Sequence, residues 1–217
     1  IIGEGKAKVS ATVDFKPMSS ALTRAAGDAL KGINSLHVLL YDEKKTLIKS
    51  WKLEETDYKV TTVNREDKDA ENGHKAEAST QRATFKLSEG IDFGRYYMYA
   101  VANIPDLLET HEGAITTVDG LKSLPLTWNP DNMTANGQMI GYFTKTSAIQ
   151  PENQPIVLNQ HSMSLHAWLR RAASTVTIAY DGSALKEGVF IYLQSVQIKD
   201  IPVQCYLGKD NNVGLDG

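Results

Sequence analysis

Ala7-Lys8-Val9-Ser10-Ala11-Thr12-Val13-Asp14-Phe15 alternates without a break. The odd positions are Ala7, Val9, Ala11, Val13 and Phe15, and the even positions are Lys8, Ser10, Thr12 and Asp14. Side chains of a strand point alternately to its two faces, so this period of two predicts a strand with one buried and one wet face. A helix would scatter the same apolar residues around its circumference.

Working outward, the same grammar recurs. Leu36–Tyr41 and Leu47–Leu53, joined by Asp42-Glu43-Lys44-Lys45, read as a hairpin. Tyr58, Val60 and Thr62 alternate, as do Ala83, Phe85 and Leu87. Tyr96–Ala102 is nearly continuous and aromatic, the pattern of a central strand buried on both faces. Leu124, Leu126 and Trp128 alternate, but Pro125 places that segment at an edge. Gln138–Thr144 follows, then Met163 to Leu169, Val176 to Tyr180, Val189–Leu193 and Val196 with Ile198. Turn signals such as Glu89-Gly90, Asp119-Gly120, Asn136-Gly137 and Asp181-Gly182 separate the strands.

Helical signal is sparse, a turn or two in Ser20–Ile33 and in Asp106–Glu112, where Asp106 is placed to cap. Many short strands with polar turns predict an all-β, antiparallel sandwich with few short helices. Asn64–Arg82 reads as a solvated loop, and Ser147–Pro155, with two prolines, as a linker or crossover. The expected division is a sandwich domain over 1–158 and the beginning of a second β domain over 159–217. About 60 residues is marginal for an independent core, so the second piece is expected to be incomplete or to lean on the first.

The 217 residues are 41% apolar and 23% charged, with a net charge of -3. That is ordinary for a folded domain and supplies no basic field for nucleic acid. The longest apolar run, Tyr96–Ala102, is far shorter than the ~18 residues of a membrane span. The single cysteine, Cys205, excludes an intrachain disulfide and a cysteine-rich zinc site but does not fix the compartment. The chain starts at Ile1 with neither a charged nor an apolar leader region.

Catalytic patterns are missing from the sequence. Ile1-Ile2-Gly3 has the look of a mature trypsin-like protease terminus, but there is no Gly-Asp-Ser-Gly nucleophile loop. There is no nucleophile elbow, phosphate loop, dinucleotide turn or His-Glu-x-x-His pair. His37, His74, His111, His161 and His166 are dispersed; the nearest two are five apart, which on a strand sets them on opposite faces. Asp210-Asn211-Asn212 lacks the spacing of a calcium loop and reads as a polar turn, and Asn132-Met133-Thr134 is a glycosylation sequon of the kind that arises by chance. No catalytic residue, cofactor or metal is expected. Trp51 and Trp128 share their strands' apolar parity and are expected in the core. Trp168 has the opposite parity to its apolar neighbours and is the candidate ligand-binding aromatic.

Certain phrases resemble a known family. Tyr96-Tyr97-Met98-Tyr99-Ala100-Val101-Ala102-Asn103 resembles the "YYVYAVAN" strand of the fimbrillin-like proteins, the type V pilins and related surface adhesion lipoproteins of Bacteroidetes. Leu169-Arg170-Arg171-Ala172-Ala173-Ser174-Thr175-Val176-Thr177-Ile178 is similar to the opening strand of their second domain, with Thr175 where lysine is usual. Tyr192 to Pro202 is similar to the strand that follows, with Asp200 replacing asparagine.

The resemblance implies transthyretin-like β-sandwich domains in tandem and export as an outer-membrane lipoprotein whose lipid anchor precedes Ile1. It implies a cell-surface or fimbrial location and, as partners, other pilin-like subunits or a host or glycan receptor. It also implies an assembly route. A protease cuts behind a basic residue after the first strand, that strand leaves, and a neighbour's donor strand fills the groove. Here the exchanged strand would present Ala7, Val9, Ala11, Val13 and Phe15, and Leu22-Thr23-Arg24-Ala25-Ala26 holds the candidate cut between Arg24 and Ala25. Arg24 reads equally well as an ordinary exposed arginine. The uncut chain is expected to be monomeric. Two functions follow: a non-enzymatic adhesion or fimbrial subunit, or a surface carbohydrate-binding module using Trp168.

Overall fold

The structure, a computed structural model, describes residues 2–15, 32–65, 78–148, 152, 154–172, 185–198 and 204–209. In chain order the strands are β1 (Lys6–Phe15), β2 (Leu36–Tyr41), β3 (Leu47–Leu53), β4 (Tyr58–Arg65), β5 (Ala78–Lys86), β6 (Ile91–Asp92), β7 (Gly94–Ala102), β8 (Pro125–Leu126), β9 (Met139–Thr144), β10 (Ile156–Leu158), β11 (Ser162–Arg171) and β12 (Cys205–Tyr206). Two short helices, α1 (Leu107–Thr110) and α2 (Val118–Lys122), and two single 3-10 turns lie between β7 and β9. The fold is all-β, as the alternation predicts.

The main sheet runs β3-β2-β7-β9-β11-β1-β5-β4, with β10 alongside β7 and β6 alongside β1. Side chains from both ends of that order share one core. Trp51 and Leu53 of β3 and Val38 and Leu40 of β2 belong to the same cluster as Ala83 and Phe85 of β5 and the apolar row of β1. The sheet therefore curls until its two halves face each other, which is the sandwich arrangement. Phe85 and Phe143 meet edge to face across it, their ring centres 6.3 Å apart.

Strand β7 is central in the way its sequence predicts. Met98, Ala100 and Ala102 enter the main core, while Tyr99 and Val101 enter a second cluster on the outer face. That second cluster is roofed by Leu107, Ile115, Val118 and Leu121 from the short helical segments and by Leu124 and Leu207. The β2–β3 hairpin also forms as expected, pairing Leu36 with Leu53 and Val38 with Trp51. Lys45 closes its turn with φ 62°.

β11 pairs with β9 on one side and β1 on the other, so it belongs to the main sheet. Three expectations are corrected. The strands expected over 189–198 are unpaired among the described residues, and Val189, Phe190, Ile191, Tyr192, Leu193, Val196 and Ile198 are exposed. Trp128 is 52% exposed, because β8 ends at Leu126 and the alternation beyond it has no sheet to face. The solvated loop expected over Asn64–Arg82 gives way at its C-terminal end to β5, whose Arg82 is drawn into the sheet by pairing with β1. Val176 to Tyr180 and most of Ser20–Ile33 lie outside the described residues.

Candidate functional site

The candidate site is the seat of β1. Its apolar row is withdrawn from water completely: Ala7 is 0% exposed, Val9 1%, Ala11 4%, Val13 0% and Phe15 1%. Burial of a valine or phenylalanine side chain contributes on the order of 1.5–3 kcal/mol, so this row is a major part of the core. The Arg171 guanidinium lies 5.9 Å from the Phe15 ring centre and closes that end.

Both backbone edges of β1 are bonded. Along one edge it runs parallel to β11, from Lys8 opposite Ser162 to Phe15 opposite Leu169. Along the other it runs antiparallel to β5, from Ser10 opposite Lys86 to Asp14 opposite Arg82. Toward its start it meets β6 at Lys6 and Ala7. The Lys8 amide donates to the His161 carbonyl at 2.9 Å, and the Leu87 amide donates to the Val9 carbonyl at 3.0 Å. The parallel pair distinguishes this sheet from a fully antiparallel one. It means that β1 joins two strands remote in sequence rather than a hairpin partner.

The wet face of β1 is not wet throughout. Asp14 is 1% exposed. Arg82 of β5 reaches it with two donors, Nε to Oδ1 at 2.8 Å and the guanidinium NH2 to Oδ2 at 3.1 Å. His166 of β11, 9% exposed, places Nε2 2.8 Å from Oδ2. An ionised carboxylate only accepts, so His166 Nε2–H donates. The Trp168 ring meets the His166 ring edge-on at 4.8 Å, and its Nε1 donates to the Ser147 carbonyl at 2.8 Å, which holds the indole beside the pair. Burial pushes Asp14 toward its neutral form, but the Arg82 and His166 hydrogen bonds outweigh it and hold the carboxyl below the usual carboxylate range.

The chain re-enters the fold after β1 on an anchor of its own. Asn103, in the left-handed region with φ 65°, accepts from the Asn34 amide at 2.8 Å. Its side-chain nitrogen donates to the Gly32 and Gly137 carbonyls at 2.9 and 2.8 Å. Position 32 onward is thereby tied to β7 and β9 independently of β1.

Of the residues singled out from the sequence, Ala7, Val9, Ala11, Val13 and Phe15 share one face, as expected. Arg24 and Ala25 lie outside the described residues. Trp168 is half-buried and lines a cleft of about 460 Å³ with Tyr142, Thr144, Arg170, Lys122 and Glu152. Lys122 Nζ and Glu152 Oε1 pair there at 2.9 Å. Among the described residues no group of three or more His, Cys, Asp or Glu gathers as a metal site. The Asp14–Arg82–His166 cluster escaped the sequence reading. Its one signal was an acid wedged between Val13 and Phe15, at the end of a row destined for burial.

No protein-family model matches the chain, and no curated protein matches it either. Among solved structures it is similar to a fimbrial assembly protein from Parabacteroides distasonis, with a TM-score of 0.50 and 15% identity, covering 78% of this chain and 54% of that one. It is similar at a TM-score of 0.37 and 16% identity to a C-terminally truncated tip fimbrial protein from Porphyromonas gingivalis, covering 76% and 48%. The chain thus spans about half the length of these proteins. At 15% identity the likeness to the first of these structures is one of fold.

Replacing Asp14 with Asn leaves Arg82 and His166 without a carboxylate, and the expected loss at pH 7 is about 2 kcal/mol, reduced from a fully buried pair because Arg82 is 40% exposed. A carboxyl whose pKa is depressed on folding contributes its stability above the ordinary value near ~4 and loses it as pH falls through the depressed one. In urea unfolding, the gap between the wild type and Asp14→Asn is therefore largest at neutral pH and narrows as the pH falls below the ordinary carboxylate range.

Proposed function

We propose that this chain is a non-enzymatic cell-surface adhesion or fimbrial subunit that assembles by exchanging β1 for a strand of a neighbouring subunit. The observation that carries this reading is the position of β1: an N-terminal strand, buried along its full apolar row, wedged between β11 and β5. Its departure would leave two facing edges with unpaired backbone groups and an apolar trough between them. Another strand of the same alternation would satisfy both, the backbone by ladder bonds and the trough by side chains. The Asn103 anchor lets β1 leave without pulling β2 with it.

Cleavage between Arg24 and Ala25 would free β1 from the chain that follows. Before the cut, β1 is held at an effective concentration no free strand can match, so the intact chain is monomeric. The family likeness further supports export as an outer-membrane lipoprotein with its anchor upstream of Ile1. A second β body, by this reading, begins after Arg171, with the exposed apolar segment 189–198 as part of it. An open trough of this kind aggregates unless it is refilled.

A second reading, a surface carbohydrate-binding module, is favoured by one observation. The cleft beside Trp168 sets aromatic rings next to the Arg170 guanidinium and the Lys122–Glu152 pair, a mixture suited to stacking a sugar ring and bonding its hydroxyls. Glycan-array binding that is lost in Trp168→Ala would support it, and the absence of any signal from the intact chain would contradict it.

For the leading reading, limited digestion with a trypsin-like protease is expected to cut after Arg24 and, once mild denaturant releases β1, to yield oligomers by size-exclusion chromatography. Arg24→Gln is expected to stay monomeric under the same treatment. Cut protein that retains β1 and never oligomerises would contradict strand exchange.

A further inference from the structure

The two long faces of β1 make different demands on whatever occupies its place. The inner face fills an apolar trough, with Ala7 and Ala11 at 0% and 4% exposure. The outer face meets two polar groups at a single level. Arg82 approaches from β5 and His166 from β11, and both converge on the Asp14 carboxylate, from 2.8–3.1 Å and 2.8 Å. The indole of Trp168 packs on the His166 ring at 4.8 Å and limits water from that side. A strand with a neutral apolar residue at this level would strip Arg82 and the His166 Nε2–H of their acceptor. Donors that lose a charged partner in a buried place are costly to leave unmade.

We propose that the groove selects an acidic donor: an extended strand of another pilin-like subunit, parallel to β11, with small or branched apolar residues at four alternate positions, a large apolar residue at the fifth, and Asp or Glu immediately before that fifth position. The proposal rests on the strand-exchange reading and adds a specificity rule to it. The acid also fixes register. Sliding the donor by two residues keeps every apolar residue facing inward, so the trough alone discriminates weakly against such a slip, but it moves the carboxylate away from both Arg82 and His166.

The rule excludes a candidate on this chain itself. Segment 189–198, Val-Phe-Ile-Tyr-Leu-Gln-Ser-Val-Gln-Ile, is exposed and apolar but contains no acid at any position. A second copy's 189–198 is therefore not the matching donor.

The test uses the full chain with a specific protease site in place of 22–26, cut and released from β1 by mild denaturant. Two fluorescein-labelled decapeptides are offered on return to buffer: Lys6–Phe15 as it stands, and the same sequence with Asp14→Asn. Fluorescence anisotropy is expected to show the acidic peptide binding about tenfold tighter or more. In an Arg82→Gln chain, where the removed side chain is 40% exposed, that preference is expected to shrink to roughly threefold or less. Equal binding of both peptides to the unsubstituted groove, or tighter binding of the Asn peptide, overturns the acidic rule while leaving strand exchange standing. If neither peptide binds, strand exchange fails and the rule fails with it.

Discussion

One strand closes this fold. Among the described residues β1 has no hairpin partner; it lies between β11, some 150 residues later in the chain, and β5, roughly 70 later, and it bonds to both. Each pairing brings remote segments together at a loop-closure cost that grows only slowly with length. What makes the closure favourable is the row from Ala7 to Phe15, which enters the core on the same side as Leu165, Ala167 and Leu169 of β11 and Ala83 and Phe85 of β5. Without β1 the β4–β5 ladder would have no bonded neighbour in the main sheet order, and the sandwich would open along one seam.

Much of this was legible in the residues, for a definite reason. Alternation reports which face a side chain takes, and so Ala7 to Phe15, the β2–β3 hairpin and the two-sided burial of β7 could all be read locally. Alternation does not report which strand lies alongside. That is why the parallel β1–β11 pairing, which puts β11 in the main sheet, cannot be read from either strand alone. Trp128 shows the complementary failure: its parity was right for a strand that stops two residues earlier. The segment 189–198 has strand character in its residues but no paired neighbour among the described ones.

The charged cluster was the least legible feature and carries the most specific chemistry. Asp14, Arg82 and His166 are separated by 68 and 152 residues from one end of the cluster, and no local pattern joins them. They meet because the register of β1 against β5 sets Asp14 opposite Arg82, while the parallel register against β11 brings His166 within reach. A buried acid held from both flanks fastens β1 to two neighbours at one level. In an assembling subunit, the same fastening point would decide which incoming strand is accepted and at what register. Trp168 has a share in both readings of the molecule, as a shield beside the His166 ring and as a wall of the adjoining cleft.

The most direct examination of the role given to β1 is native-state hydrogen exchange on the intact chain, resolved to the amides of Lys8 through Phe15. With ladder bonds on both sides, these amides are expected to exchange as slowly as those of the central strand β7, and their protection to be lost together with that of β5 and β11. Exchange of the β1 amides within seconds, at the rate of an exposed loop while β7 stays protected, would contradict the account.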